Sequence, residues 1–215
     1  WISLDVYVEK NKEKNKNKAG KTLVLYLNED KENSSFEALL KENGLHAVYT
    51  NSMIDSHFID FLERQNQEIQ FASADSDTND IFLDQIAILD ENKSKQIQAV
   101  FSKYLEAEGV QVEVKNFREE KFPAMLIASE HLRRLQEMST MMMGKKTIGG
   151  FLKDSLWVNA KSPLISKVLL MDTANAEKAK ETANYIYDIA SLSAGKLKGE
   201  RLAEFVKKSI EMIKD

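Results

Sequence analysis

The side chains best suited to acid–base or metal chemistry are the three histidines, but their spacing does not favour a site. His46, His57 and His131 fall on separate predicted elements, with no carboxylate or second histidine at the spacing of metal ligands. His57 and Asp60 share one predicted helix, which is more typical of a surface pair. Cysteine is absent, so disulfides and thiolate metal ligands are excluded, as is usual in a reducing compartment.

Phosphate-binding and nucleophile motifs are incomplete as well. The segment MGKKT resembles the end of a phosphate-binding loop, but that pattern needs glycine at Ser139 and a hydroxyl residue at Lys146. The first predicted strand-to-helix turn, NEDKENSS, has no glycine to hold a phosphate. No serine lies in a nucleophile-elbow pattern. The sequence therefore predicts no catalytic residues, no metal and no cofactor for this chain.

The segment QEMSTMMMGKKTIGG is unusual because it concentrates methionine. Four of the eight methionines fall within it: Met138, Met141, Met142 and Met143. Leu132 and Leu135 begin a helical stripe that two of them continue, but neighbours on a helix diverge by about 100°, so three in a row cannot all point inward. Methionine is flexible and polarizable, and suits a surface that adapts to many apolar partners. A client-contact patch and an ordinary core stripe are the two interpretations.

Composition indicates a soluble globular protein. The chain has 215 residues, of which 43% are hydrophobic and 30% charged, and its net charge is -4. The acidic balance gives no reason to expect a nucleic-acid partner. No apolar run approaches the roughly 18 residues of a membrane span, and the first residues lack a signal-peptide pattern. Since there is no initiator methionine, we expect a fragment of a longer protein.

The elements that must position any site alternate between strand and helix in residues 1–76. SLDVYVEKNK predicts a first helix with Ser3 as its N-cap. KTLVLYLN, HAVYT and EIQFASA then predict three buried strands, separated by the helices SSFEALLKENG and DSHFIDFLERQ. This order implies a small three-layer α/β subdomain with a parallel sheet and right-handed crossovers. The acidic segment ADSDTND marks its boundary.

Residues 77–215 predict a second domain of the α+β class. VQVEVKNF, AMLIAS and DSLWVNA indicate a three-stranded sheet, preceded by the helix DENKSKQIQAVFSKYLEAEG. Pro163 begins a further helix, and two long helices joined by a glycine turn close the chain as a hairpin. The fold prediction is thus α/β plus α+β.

The two closing helices have apolar stripes that predict a dimer interface. Two copies of the hairpin would form a four-helix bundle across a two-fold axis. The alternative, that the hairpin packs on the sheet of its own domain, stays open with equal weight. The predicted interface residues are Ala183, Tyr185, Ile186, Ile189, Ala190, Leu192, Leu202, Phe205, Val206, Ser209 and Ile213.

The order of these motifs resembles the C-terminal half of the heat-shock protein 90 chaperone family, in its bacterial form, over nearly the whole chain. The resemblance is carried by SLDVYVEKNK, by LVLYLN through SHFIDFL, by FPAMLIASEHLRRLQEM, by WVNAKSPLISKVL and by YDIASLSAG. The chain departs from the family at Asn11, Ser35, Ser162 and Ser191, which replace methionine, proline, histidine and leucine.

The resemblance implies a homodimeric chaperone of the stress response, of which this chain holds the end of the middle domain and the dimerisation domain. ATP and Mg would bind in an N-terminal domain outside this chain, so the chain itself should neither bind nor hydrolyse ATP. The methionine segment matches the family's helix for unfolded client proteins. The ending EMIKD lacks the tail that recruits tetratricopeptide-repeat cochaperones, which favours a bacterial, cytoplasmic protein.

Two further functions compete with the chaperone. The first is a non-catalytic dimeric adaptor or scaffold without chaperone activity. The second is a sugar-nucleotide or flavin enzyme built on the α/β layer, which the glycine-free turn disfavours.

Overall fold

The computed structural model describes residues 3–17, 19–28, 34–50, 55–74, 76, 82–84, 86–129, 134 and 154–214. The chain divides into two compact units. The first comprises Trp1–Ile81 and Ala128–Leu152, and the second comprises Phe82–Ile127 and Lys153–Asp215. The domain boundary after residue 76 stays a prediction. The structure adds that residues 128–152 group with the first unit, which the sequence did not indicate.

The first unit contains a parallel three-stranded sheet, as predicted. Its central strand pairs with a neighbour on each side, in the order β2-β1-β3. Tyr26 in the central strand lies opposite Val48 on one side and Ser73 on the other. The elements are α1 (Leu4–Asn11), β1 (Thr22–Asn28), α2 (Ser34–Glu42), β2 (Ala47–Thr50), α3 (Asp55–Gln65) and β3 (Ile69–Ser73).

The apolar run of β1 is buried on both faces, because successive side chains in a strand point in opposite directions. Leu23, Val24 and Leu25 are each fully buried. On one face, a core cluster joins the sheet to α1 and α3. Its members are Tyr7, Val24, Tyr26, Ile59, Ile69 and Phe71. The predicted cap of α1 is confirmed, since the backbone N–H of Val6 donates to Ser3 Oγ at 3.3 Å.

The second unit contains the predicted three-stranded sheet, and this one is mixed. In the order β4-β6-β5, the central strand is parallel to β4 and antiparallel to β5. A short 3-10 helix, Glu106–Glu108, precedes the first strand, and Gly109 ends it with a φ of 62°. The elements are α4 (Glu91–Tyr104), β4 (Gln111–Lys115), β5 (Ala124–Ile127), β6 (Ser155–Asn159), α5 (Pro163–Ala174), α6 (Ala176–Ser193) and α7 (Gly199–Lys214).

The core of the second unit lies between this sheet and helices α4, α5 and α6. Each of these elements contributes an almost completely buried side chain: Phe101 from α4, Leu156 from the sheet, Ile165 from α5 and Ile186 from α6. Asp90 is the N-cap of α4, and its side chain accepts from the backbone N–H groups of two residues in the first turn. The same core holds α6 against β5 and α5.

Asn159 explains one of the motifs on which the family resemblance rests. The residue is fully buried, and its amide makes four hydrogen bonds to the backbone. Oδ1 accepts from the N–H groups of Phe117 and Lys161, both at 3.1 Å. Nδ2 donates to the carbonyls of Glu119 and Phe122, at 3.0 and 2.9 Å. The asparagine in WVNAKSPL therefore fixes the connection between β4 and β5 against the end of β6.

Candidate functional site

The residues suited to acid–base chemistry are not assembled into a site in the part of the chain that the structure describes. His46 and His57 are both exposed, and within these residues no group of three histidines and carboxylates could hold a metal ion. His131 lies outside the described residues, as do Ser139 and Lys146 of the incomplete phosphate-loop pattern. Within the described ranges no helix is both long and apolar enough to cross a membrane.

The methionine segment also lies outside the described residues. This holds for each of the predicted client-contact residues, Met138, Met141, Met142 and Met143. Their role therefore stays a prediction. Arg134 is the described residue nearest to them in sequence.

The predicted dimer-interface residues divide into three sets by exposure. Ala183, Ile186 and Ala190 are buried in the core of their own unit, so they follow the alternative in which α6 packs on the unit's sheet. The exposed set is Leu192, Val206 and Ile213, whose exposed fractions are 45%, 47% and 84%. The half-buried set is Tyr185, Ile189, Leu202, Phe205 and Ser209. Dimerisation itself stays a prediction. The residues available for the predicted interface are the exposed and half-buried sets, because a second copy cannot contact buried side chains.

Helix α7 is held on α6 by one face. The rings of Tyr185 and Phe205 stack with centroids 5.0 Å apart, and Tyr185 Oη lies 3.0 Å from Ser209 Oγ. Near its start, Arg201 contacts the carboxylates of Asp188 and Glu108. Burial by itself lowers the pKa of Arg201, but hydrogen bonds to both carboxylates outweigh it and raise the pKa above its ordinary value. The predicted hairpin is thus present as a helix pair joined by side-chain contacts.

The neighbouring face of α7 is apolar and exposed. Val206, Ile210 and Ile213 recur at helical spacing. Val206 and Ile210 directly follow Phe205 and Ser209, which contact α6. Ile210 is 49% exposed. The predicted interface omitted it, although it continues the spacing of Val206 and Ile213. We call Val206, Ile210 and Ile213 the α7 stripe. Met212 is 58% exposed but lies on a different face, because neighbours on a helix diverge by about 100°.

A second apolar surface lies in the first unit, between α1 and α3 and beside the edge strand β2. It is a cavity of about 480 Å³. Val24, Val48 and Phe71 lie on its sheet side, and Tyr49 and Phe58 line it with exposed fractions of 57% and 55%. We call it the aromatic groove.

The aromatic groove was not predicted from the sequence. Its signal was present in SHFIDFL, where Phe58 and Phe61 accompany the buried Ile59 and give α3 an apolar surface wider than one face. The two phenylalanine rings stack with centroids 6.5 Å apart, and both side chains are more than half exposed. Large exposed apolar surfaces of this kind mark binding sites.

Comparison with known proteins places the chain near one class, the HtpG-type chaperones. No family model matches the chain. The chaperone protein htpG of Bacteroides fragilis strain 638R is 24% identical over 156 residues, which are 68% of this chain and 23% of that protein. The protein of the same name from strain YCH46 is 24% identical over 178 residues, 79% of this chain and 26% of that protein. The chain is distantly similar to these chaperones and spans about a quarter of their length.

Proposed function

We propose that this chain is the C-terminal part of an HtpG-type, ATP-dependent chaperone, comprising the end of the middle domain and the dimerisation domain. The observation that carries the proposal is the similarity to Bacteroides HtpG chaperones over 68–79% of the chain. The order of strands and helices fits the order of motifs that carries the family resemblance. In the whole protein ATP and Mg bind to a domain outside this chain, and the protein acts in the cytoplasm.

In this function the α7 stripe joins two copies of the chain. Ile213 is 84% exposed and Ile210 49%, and each would remove apolar surface from water in a helix-to-helix contact. Full burial of such a side chain contributes roughly 1.5–3 kcal/mol. A two-fold axis beside α7 would bring the stripe against its own copy and complete a four-helix bundle from two hairpins.

Client proteins bind through adaptable apolar surface. The aromatic groove would accept large apolar side chains of unfolded segments, because its floor is apolar and the exposed ring of Phe58 can pack against an inserted side chain. The segment from Met138 to Met143 supplies a second, more pliable surface. Each contact is weak, so an unfolded segment is held reversibly.

The first experiment tests the dimer by sedimentation equilibrium of the 215-residue chain. We expect a dimer for the wild type, and a monomer for Val206→Glu/Ile213→Glu, because two carboxylates in the α7 stripe would be desolvated on association. Lys207→Glu is the matched control: it changes the net charge by the same amount at an exposed position on the same helix, and should remain dimeric. A monomeric wild type would contradict the proposal.

The second experiment separates the chaperone from the dimeric adaptor by suppression of aggregation of an unrelated unfolded protein. We expect Phe58→Ser and Met138→Ser/Met142→Ser each to reduce suppression severalfold while the chain stays dimeric. Ile86→Ser removes an exposed apolar side chain from the second unit and serves as the control. A dimeric wild type without suppression would support the adaptor instead.

A further inference from the structure

The connection between β5 and β6 is far longer than the geometry of these strands requires. The two strands are adjacent and antiparallel in the second unit. Such strands are usually joined by a hairpin of about two to five residues. Here β5 ends at Ile127 and β6 begins at Ser155, and Ala128–Leu152 between them belongs to the first unit. The chain therefore leaves the second unit, enters the first and returns.

The described residues of this connection contact the first unit at Ala128 and at Arg134. Ala128 forms a parallel bridge with Ser76, just after β3. Six residues further, the guanidinium of Arg134 reaches α3 and β3. Nη1 lies 2.9 Å from Asp60 Oδ1 and 3.0 Å from Glu63 Oε2. Nη2 donates to Glu63 Oε1 at 3.2 Å and to the carbonyl of Phe71 at 3.0 Å.

The chemistry of this cluster requires arginine. The planar guanidinium presents two parallel N–H groups to Glu63 and further donors to Asp60 and to the carbonyl of Phe71, whereas a lysine ammonium cannot match that fork. Glu63 is already oriented, because its Oε1 accepts from the backbone N–H of Phe71 at 2.6 Å. The side chains of Arg134, Asp60 and Glu63 are 20%, 30% and 22% exposed, so water screens them only in part.

We propose that Arg134 is a positioning residue that clamps the β5–β6 connection to α3 and β3 of the first unit. The clamp gives the chain a fixed point four residues before Met138. Its effect on client binding rests on the proposed function, whereas its effect on the connection itself does not.

The test is hydrogen exchange of the 215-residue chain, followed by mass spectrometry. In Arg134→Ala we expect backbone amides in residues 128–137 to exchange on the order of tenfold faster, since charge-assisted hydrogen bonds are lost. Peptides from β1 and β6 should exchange as in the wild type, which separates release of the clamp from unfolding. Arg64→Ala removes the same charge from an exposed position on α3 and should change nothing.

Two further variants keep the result interpretable. Arg134→Lys should give intermediate exchange, because one ammonium keeps the charge without the fork. The exchanged pair Arg134→Glu/Glu63→Arg should restore protection in part, relative to Arg134→Glu alone. Equal exchange of residues 128–137 in the wild type and in Arg134→Ala would overturn the clamp. Faster exchange with unchanged suppression of aggregation would keep the clamp and show that it does not affect client binding.

Discussion

The two closing helices have similar sequence patterns and different surroundings. In α6 the stripe of Ala179, Ala183, Ile186 and Ala190 is almost completely buried. In α7, Val206 and its neighbours in the stripe keep about half or more of their surface exposed. Apolar periodicity therefore predicts that a helix forms and which face is apolar, but it does not say what covers that face.

The difference has a physical cause in side-chain size. Three of the four stripe residues of α6 are alanines, which let the helix approach β5 and α5 closely. The α7 stripe consists of valine and isoleucine, and within the described residues α7 is held through Arg201, Phe205 and Ser209 instead. Larger side chains need a partner surface shaped to receive them, and the proposed dimer would supply it.

The largest expected effect contrasts the two stripes directly. Ile186→Ala should lower the free energy of unfolding by about 2–5 kcal/mol, because it leaves a cavity in a packed core. Ile210→Ala should cost within about 0.5 kcal/mol in a monomer, since the side chain is half exposed already. Urea unfolding of dilute protein measures both changes.

Repeating the measurement at a hundredfold higher protein concentration sharpens the comparison. Dimerisation stabilises the folded state by mass action, so the cost of Ile210→Ala should grow with concentration while that of Ile186→Ala stays the same. A cost of Ile210→Ala that is small at both concentrations would mean that α7 has no partner helix.

A smaller effect is expected from the ion contacts that hold the start of α7. Arg201→Met should lower the free energy of unfolding by about 1–3 kcal/mol, because Asp188, which is 6% exposed, loses its cationic partner. Lys207→Met removes the same charge from an exposed position of α7 and should be nearly neutral. Thermal unfolding of the two variants compares them.

Two results bear on the interpretation of Arg201→Met. The double variant Arg201→Met/Asp188→Leu should recover part of the lost stability, since no unpaired carboxylate then remains buried. If Arg201→Met and Lys207→Met lost equal stability, the effect would come from the change in net charge and not from the contact of Arg201 with Asp188.

The sequence predicted the elements better than their assembly. Both three-stranded sheets, the cap at Ser3 and the helix that begins at Pro163 are confirmed, because local patterns and caps determine them. The assignment of residues 128–152 to the first unit was not predictable, since Arg134 acts through carboxylates about 70 residues away in sequence.

The candidate surfaces show the same limit. Val206 and Ile213, which are exposed on α7, belong to the predicted interface, whereas the aromatic groove was missed because α1, β2 and α3 build it together. A surface built from elements that are far apart in sequence cannot be predicted from local patterns alone. The resemblance to chaperones rests on the order of several motifs. The hydrogen bonds of Asn159 give a structural reason for one of these motifs, WVNAKSPL.

The smallest expected effect tests how α7 rests on α6. Tyr185→Phe removes the contact with Ser209 Oγ and keeps the stacking on Phe205, so it should cost about 0.5–1 kcal/mol in urea unfolding of dilute protein. The loss is small because the hydroxyl of Ser209 still donates to the carbonyl of Phe205 at 2.8 Å. Tyr185→Ala removes the ring as well and should cost more. If the two variants lost equal stability, the ring stacking would contribute nothing, and the hydroxyl alone would hold this face of α7 while the neighbouring stripe stayed exposed.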